Sequence, residues 1–274
     1  MILSFRTRLG MLLRGTKGYL RTRTETVAPI PSGLSPEVIG MSVGGREILS
    51  YHIGNGPRVI AFCGSIHGNE VGTAKLIRLL IAFLNAKQEW HADFTFHCIP
   101  VLNPDGYTVA LTRPDYGHGG RIGRFNANGV DLNRNFPTQS FASTSVWSHG
   151  KGYAETTEVF CGATPGSEPE NAALRSFLGR EKVSLLWMFH SVASEIMASH
   201  DIPTESLASL FARVTGFRHA THAEWGELHQ TGTAKEWCEE NSIAYLESEA
   251  SERWGSDWKR QKPGIVAVLH ALAL

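Results

Sequence analysis

Three short runs in this chain are almost continuously apolar: 58–64 (RVIAFCG), 94–102 (FTFHCIPVL) and 183–190 (VSLLWMFH). Runs of that length between turn residues read as strands buried on both faces of a covered sheet. Ahead of them, EVIGMSV and REILSYHI flank Gly44-Gly45, which predicts a hairpin over 37–53, and a turn follows at 54–57. A further strand is expected over 242–247 (SIAYLE). Between the strands, Leu76, Leu79, Leu80 and Phe83 recur at helical spacing, so 71–86 is predicted helical. Ser167, Pro169 and Gly179 bound a helix over 167–179. Helices are also expected over 204–215 and 233–240, and PGIVAVLHALAL closes the chain as an apolar helix. Asn103-Pro104-Asp105-Gly106 reads as the turn that ends the second apolar run. Residues 112–165 carry little periodicity, and so long a stretch inside a compact domain is either functional or holds structure that the pattern does not reveal.

This alternation of strand and helix implies an α/β fold: a mixed, mostly parallel twisted sheet with helices on both faces. Pro29, Pro31, Gly33 and Pro36 mark a linker. The chain therefore divides into a basic N-terminal extension and linker, 1–36, and a single domain, 37–274. A length of 274 residues suits that division. Lys+Arg and Asp+Glu are equal at 26 each, which argues against a nucleic-acid partner. Four scattered cysteines without a C-x-x-C read as reduced thiols in a cytoplasmic protein. The first acid is Glu25, after Arg6, Arg8, Arg14, Lys17, Arg21 and Arg23. That segment is either a basic amphipathic stretch making peripheral contact with a membrane or partner, or an extension packed on the domain. No stretch reaches the ~20 apolar residues of a membrane span.

The expected strand ends carry the candidate chemistry. His67 and Glu70 follow the first apolar run, His190 ends the third, and Glu247 ends SIAYLE. In open α/β sheets ligands bind beyond the carboxyl ends of strands, where such residues meet. His67-x-x-Glu70 alone is weak, since this composition supplies about one such pair by chance. It reads either as helix cap and surface or as two thirds of a metal site, and Gly68 gives the backbone room to bend. RFNANGVDLNRNF, 124–136, interleaves Val130, Leu132 and Phe136 with two arginines and four asparagines. The alternation at 130–132 suggests a short extended segment. An arginine beside an asparagine suits a carboxylate ligand, because the guanidinium fork matches two oxygens; a network of turn residues is the alternative.

GSIHGNE, NPDGY, RFNANGVDLNRNFP, SEPE, the strand ending in His190 and TGTAKEW…SIAYLE occur in an order and spacing that resemble the zinc carboxypeptidase superfamily, over about residues 40–250. The compact bacterial branch that includes murein peptide amidases is the most similar in character. The resemblance implies one Zn²⁺ per chain held by His67, Glu70 and His190. It implies Glu247 as the general base and acid acting on the attacking water, with Glu249 the alternative two residues on. Arg124 would polarise the scissile carbonyl, and Asn133 with Arg134 would hold a substrate carboxylate. The implied activity is hydrolysis of a peptide or amide bond beside that carboxylate, on a peptide or peptidoglycan fragment. Many carboxypeptidases place a mobile tyrosine before the catalytic glutamate; 219–241 has none and offers His222, Trp225 and His229. The competing readings are an aspartoacylase-like deacylase of N-acyl amino acids and an inactive binding protein on the same scaffold.

Overall fold

The computed structural model describes residues 29–113, 120–149, 155–221, 224 and 230–274. The basic segment 1–28 and the loop residues His222, Trp225 and His229 lie outside the described residues. One eight-stranded sheet runs in the order β1 (Glu37–Met41), β2 (Glu47–Ile53), β4 (Phe94–Ile99), β3 (Arg58–Gly64), β7 (Leu185–Ser191), β10 (Ala244–Ala250), β8 (Glu195–Ala198), β9 (Arg218–His219). β4, β3, β7 and β10 are mutually parallel, while β1 with β2, β2 with β4 and β10 with β8 pair antiparallel. The sheet is therefore mixed, with its parallel strands at the centre, as the apolar runs predict.

Strand alternation sends side chains to two separate cores. Phe62, Phe96, Trp187, Phe189 and Leu246 pack on one face against α1 (Val71–Ala86), α4 (Ile202–Thr215) and α6 (Trp258–Ala273). Ala61, Cys63, Leu186, Met188 and Tyr245 pack on the other against α3 (Pro169–Arg180) and α5 (Ala234–Glu240). The two-residue period carries this second face onward to His190 on β7 and to Glu247 and Glu249 on β10. All four cysteines are free and buried.

Four local readings are corrected or completed by the structure. Asn103-Pro104-Asp105-Gly106 does not end in a turn: it starts α2 (Pro104–Thr112). The Asn103 side chain accepts from the Gly106 N–H at 2.8 Å, and proline occupies the first helical position, where it lacks no needed bond. The segment 130–132 is not extended throughout: Asp131 is extended and caps a 3₁₀ turn that already begins at Leu132 and runs to Arg134. The aperiodic stretch contains a separate two-stranded hairpin, β5 (Thr144–His149) with β6 (Glu155–Phe160). β10 continues past Glu247 to Ala250, so Glu249 lies inside the strand.

Candidate active site

β3 ends at Gly64, and the chain then reverses over Ser65–Glu70. Ser65 takes the left-handed conformation at φ 48°. Its N–H donates to Thr73 Oγ1 at 2.9 Å and its hydroxyl to the Glu70 carbonyl at 3.2 Å, which offsets the strain by closing the turn onto α1. Gly68 serves close approach rather than bending: a Cβ there would lie 2.2 Å from the Tyr107 nitrogen at the start of α2. Glu70 stands at the N-cap of α1 yet makes no side-chain cap bond. Its carboxylate turns inward instead, and at 3 % exposure it is buried rather than a surface group.

There it meets two histidines. His67 Nδ1 lies 3.1 Å from Glu70 Oε1 and His190 Nδ1 lies 3.2 Å from Glu70 Oε2. The two imidazole centroids are 5.0 Å apart. One ligand atom from each of His67, Glu70 and His190 lies within 4.8 Å of the others. Despite the short distance, Glu70 Oε2 makes no hydrogen bond, and neither does His190 Nε2, although both atoms are buried. Leaving such atoms unpaired costs on the order of 1–3 kcal/mol each, more for charged groups. Two imidazoles and a carboxylate gathered around one point, with poor mutual hydrogen bonding, match a zinc donor set with an open fourth position. The donor set fits the metal.

The field at the cluster is consistent with that need. Burial pulls the His190 pKa down, but the Glu247 and Glu70 carboxylates overcome it and raise the ring to about 10. Burial pushes Glu70 up, yet His67 and His190 hold it below the usual carboxylate range. The cluster of carboxylates thus calls for positive charge at the point the histidines surround, which a divalent cation would supply.

The Asn-rich loop brings in the remaining groups. Asp131 is fully buried and joins two of them: Oδ1 faces His67 Nε2 at 3.2 Å, and Oδ2 accepts from Arg124 Nε at 3.0 Å and Nη2 at 2.8 Å. Burial raises its pKa, but Arg124 and His67 hold it well below the ordinary value. A carboxylate on the outer nitrogen of a histidine fixes the ring's tautomer and leaves Nδ1 for the metal. Arg124 is sandwiched between Asp131 and the Trp147 ring, whose centroid is 4.2 Å from its guanidinium carbon. Arg134 donates through Nε to the Val146 carbonyl at 3.1 Å and through Nη1 to Asn133 O at 2.6 Å. Asn133 Oδ1 accepts the Ala234 N–H at 2.9 Å, pinning the loop to the start of α5. Asn133 and Arg134 are thus brought to one buried place, at 6 % and 3 % exposure.

β10 presents two carboxylates to the same centre. Glu249 lies level with His190 across the parallel pair, while Glu247 lies level with Met188, one pleat deeper. Each joins His190 in a second group of closely spaced ligand atoms. Glu247 accepts a hydrogen bond from the Tyr245 hydroxyl. Glu249 Oε2 is buried without a partner, and burial pushes its carboxyl well above the usual range. Sequence reasoning left three contributors unassigned: Asp131, Tyr245 and Trp147. The first two sit inside quoted motifs, whereas Trp147 lies in the unforeseen hairpin.

A sequence profile of the zinc carboxypeptidase family matches residues 22–265. The chain belongs to that family. Carboxypeptidase N catalytic chain of Homo sapiens is 38 % identical over 114 residues, which is 36 % of this chain and 25 % of that protein. A metallocarboxypeptidase A-like protein of Trichophyton verrucosum is 28 % identical over 237 residues, covering 72 % of this chain and 52 % of its own length. The match thus spans about a quarter of the carboxypeptidase N relatives. Among solved structures, the murein-tripeptide amidase from Escherichia coli O157 superposes with a TM-score of 0.65 at 21 % identity, covering 90 % of this chain and 94 % of its own. Carboxypeptidase A from Helicoverpa armigera gives 0.69 at 19 % identity over 99 % and 74 %. These zinc carboxypeptidase-type structures carry the same mixed α/β architecture. Among the described residues, no helix is long and apolar enough to cross a membrane.

Proposed function

We propose that the chain is a zinc-dependent hydrolase of peptide or amide bonds that lie beside a free carboxylate, acting as a metallocarboxypeptidase or murein-type peptide amidase. The observation that carries the reading is the buried His67–Glu70–His190 group with its orphaned atoms, set against two carboxylates of β10 and flanked by Arg124 and Arg134. His67, Glu70 and His190 would hold one zinc per chain. Bound there, zinc supplies a Lewis acid and lowers the pKa of water toward neutrality.

The chain's own groups do the rest. Arg134, fixed through Nε and Nη1, anchors the substrate carboxylate and so sets which bond reaches the centre. Arg124 faces the oxygen on which charge develops, and the Asp131 and Trp147 contacts hold it in place before that charge appears. A β10 carboxylate takes the proton of the attacking water and delivers it to the leaving nitrogen. The sequence expectation put this base at Glu247 with Glu249 as the alternative. We assign it to Glu249, because this side chain is level with His190 and has an unpartnered oxygen, whereas Glu247 is already held by Tyr245. The natural substrate is then a peptide or peptidoglycan fragment, and the four free, buried thiols support a reducing, cytoplasmic setting.

The test is elemental analysis of the purified protein, joined to a screen of short peptides, γ-D-glutamyl-diaminopimelate fragments and N-acyl amino acids, with and without chelator. About one zinc per chain and chelator-sensitive cleavage of a carboxylate-bearing peptide are expected. A protein that neither holds nor takes up zinc overturns the reading. Cleavage confined to N-acyl amino acids replaces it with the deacylase.

A further inference from the structure

We propose that Trp254 and the carbonyl of Arg253 are positioning groups for the metal centre: they cap α1 in place of Glu70 and so leave its carboxylate to the metal. The inference rests on the hydrolase reading above and adds what holds the ligand set in its binding form.

A carboxylate at the start of a helix is drawn to the helix itself. The N–H groups of the first turn lack partners within the helix, and the dipole favours negative charge there. A capping side chain accepts from the second or third helical residue. In α1 those residues are Gly72 and Thr73, since Glu70 stands at the N-cap. Glu70 nevertheless leaves both alone and faces His67 and His190. The cause lies in where the two N–H groups go. The Thr73 N–H donates to the Glu70 carbonyl at 3.0 Å, and the Gly72 N–H donates to the Arg253 carbonyl at 2.7 Å. Both positions that a capping carboxylate would serve are filled, one of them by a loop distant in sequence.

That loop, 251–257, is held against α1 by its own contacts. Trp254 is buried and packs with Val71 in the first turn of α1 and with Ala110 of α2, with Tyr107 beside it. Gly72 permits the close approach: a Cβ there would lie 2.0 Å from the Gly255 carbonyl oxygen. The base of the loop is closed by the Ser251 N–H, which donates to Asp257 Oδ2 at 2.9 Å. The loop leaves directly from the end of β10, the strand that carries Glu249. One segment thus joins the strand of the proposed base to the turn of a proposed metal ligand. Loss of the Trp254 contact would let the Arg253 carbonyl retreat and open the Gly72 N–H to Glu70. A carboxylate recruited by the helix is one lost from the ligand set.

The experiment is a zinc competition titration against a chromophoric chelator, on the full chain stripped of metal, with the melting temperature of each variant recorded beside it. Trp254→Ala should raise the zinc Kd about 10–100-fold, the range typical of lost support behind a metal ligand. Trp254→Phe keeps an aromatic wedge and should stay within about threefold of the unaltered chain. Gly72→Ala should also weaken zinc, because its Cβ displaces the Gly255 carbonyl even though alanine favours helix. Leu84→Ala, at the far end of α1, should lower the melting temperature and leave Kd within about threefold. Unchanged zinc affinity in Trp254→Ala or, should that variant not fold, in Gly72→Ala overturns the proposal. So does an equal weakening by Leu84→Ala, since general softening of α1 would then explain the loss. An unaltered chain that takes up no zinc would instead bring down the hydrolase reading itself.

Discussion

The loop 124–136 borders two buried acidic networks, and they are finished differently. In one, the oxygens of Glu168 and Glu170 of the SEPE segment all accept hydrogen bonds. Ser167 and the amides of Asn126 and Asn128 serve Glu168, while the Val43 N–H and the Asn126 amide serve Glu170. Each oxygen of this pair has a partner. In the other, Glu70, Glu249 and His190 keep buried atoms with no hydrogen bond. Both contain buried glutamates. What differs is completion: the first network locks the loop's conformation, whereas the second holds its unpaired atoms at a free-energy cost until a ligand satisfies them. Incompleteness, more than acidity or burial, separates a site from a brace.

Substitutions on the two sides should therefore separate catalytic loss from stability loss. The largest effect is expected for Glu249→Gln, a fall in kcat of about 10²–10⁴-fold with zinc content unchanged by elemental analysis. The same fall from Glu247→Gln, with Glu249→Gln active, would return the base to Glu247. Arg134→Ala should raise KM by about 10–100-fold for peptides with a free terminal carboxylate and far less for their amides. Asp131→Asn should weaken zinc by about 10–100-fold in a competition titration, because the His67 ring loses its orienting carboxylate. The smallest effect on chemistry belongs to the brace. Asn126→Ala should cost about 1–3 kcal/mol of stability, read as a lower melting temperature, with zinc stoichiometry intact. Loss of zinc from that variant would mean that the two networks are one.

Much of this molecule is legible in its sequence because burial writes a period. The helix 71–86 and the strand 58–64 have the boundaries their apolar spacing predicts. The misreadings share a cause. Where side chains face a polar site, a strand loses its apolar signature, so β10 reads as ending at Glu247 when it runs to Ala250. The β5–β6 hairpin is written mostly in Thr, Ser, His and Glu and gives no period, yet it supplies the Val146 carbonyl and the Trp147 ring. Asp131 was visible inside the longest motif, but its role depends on His67, 64 positions away in sequence. Asn103-Pro104 carries a turn signal and a helix-start signal alike, and only packing decides between them.

The reversal at Ser65–Glu70 has a thermal consequence. Glu70 both begins α1 and belongs to the proposed metal set, and α1 buries Leu76, Ile77, Leu80, Ile81 and Leu84 in one of the two cores. A ligand that binds the folded chain alone raises its stability by mass action, by about 2.7 kcal/mol at a hundredfold excess over Kd. Zinc would thus act as a clasp on the first turn of a core helix. The melting temperature should climb with zinc concentration, and it would read out occupancy of the centre without any substrate.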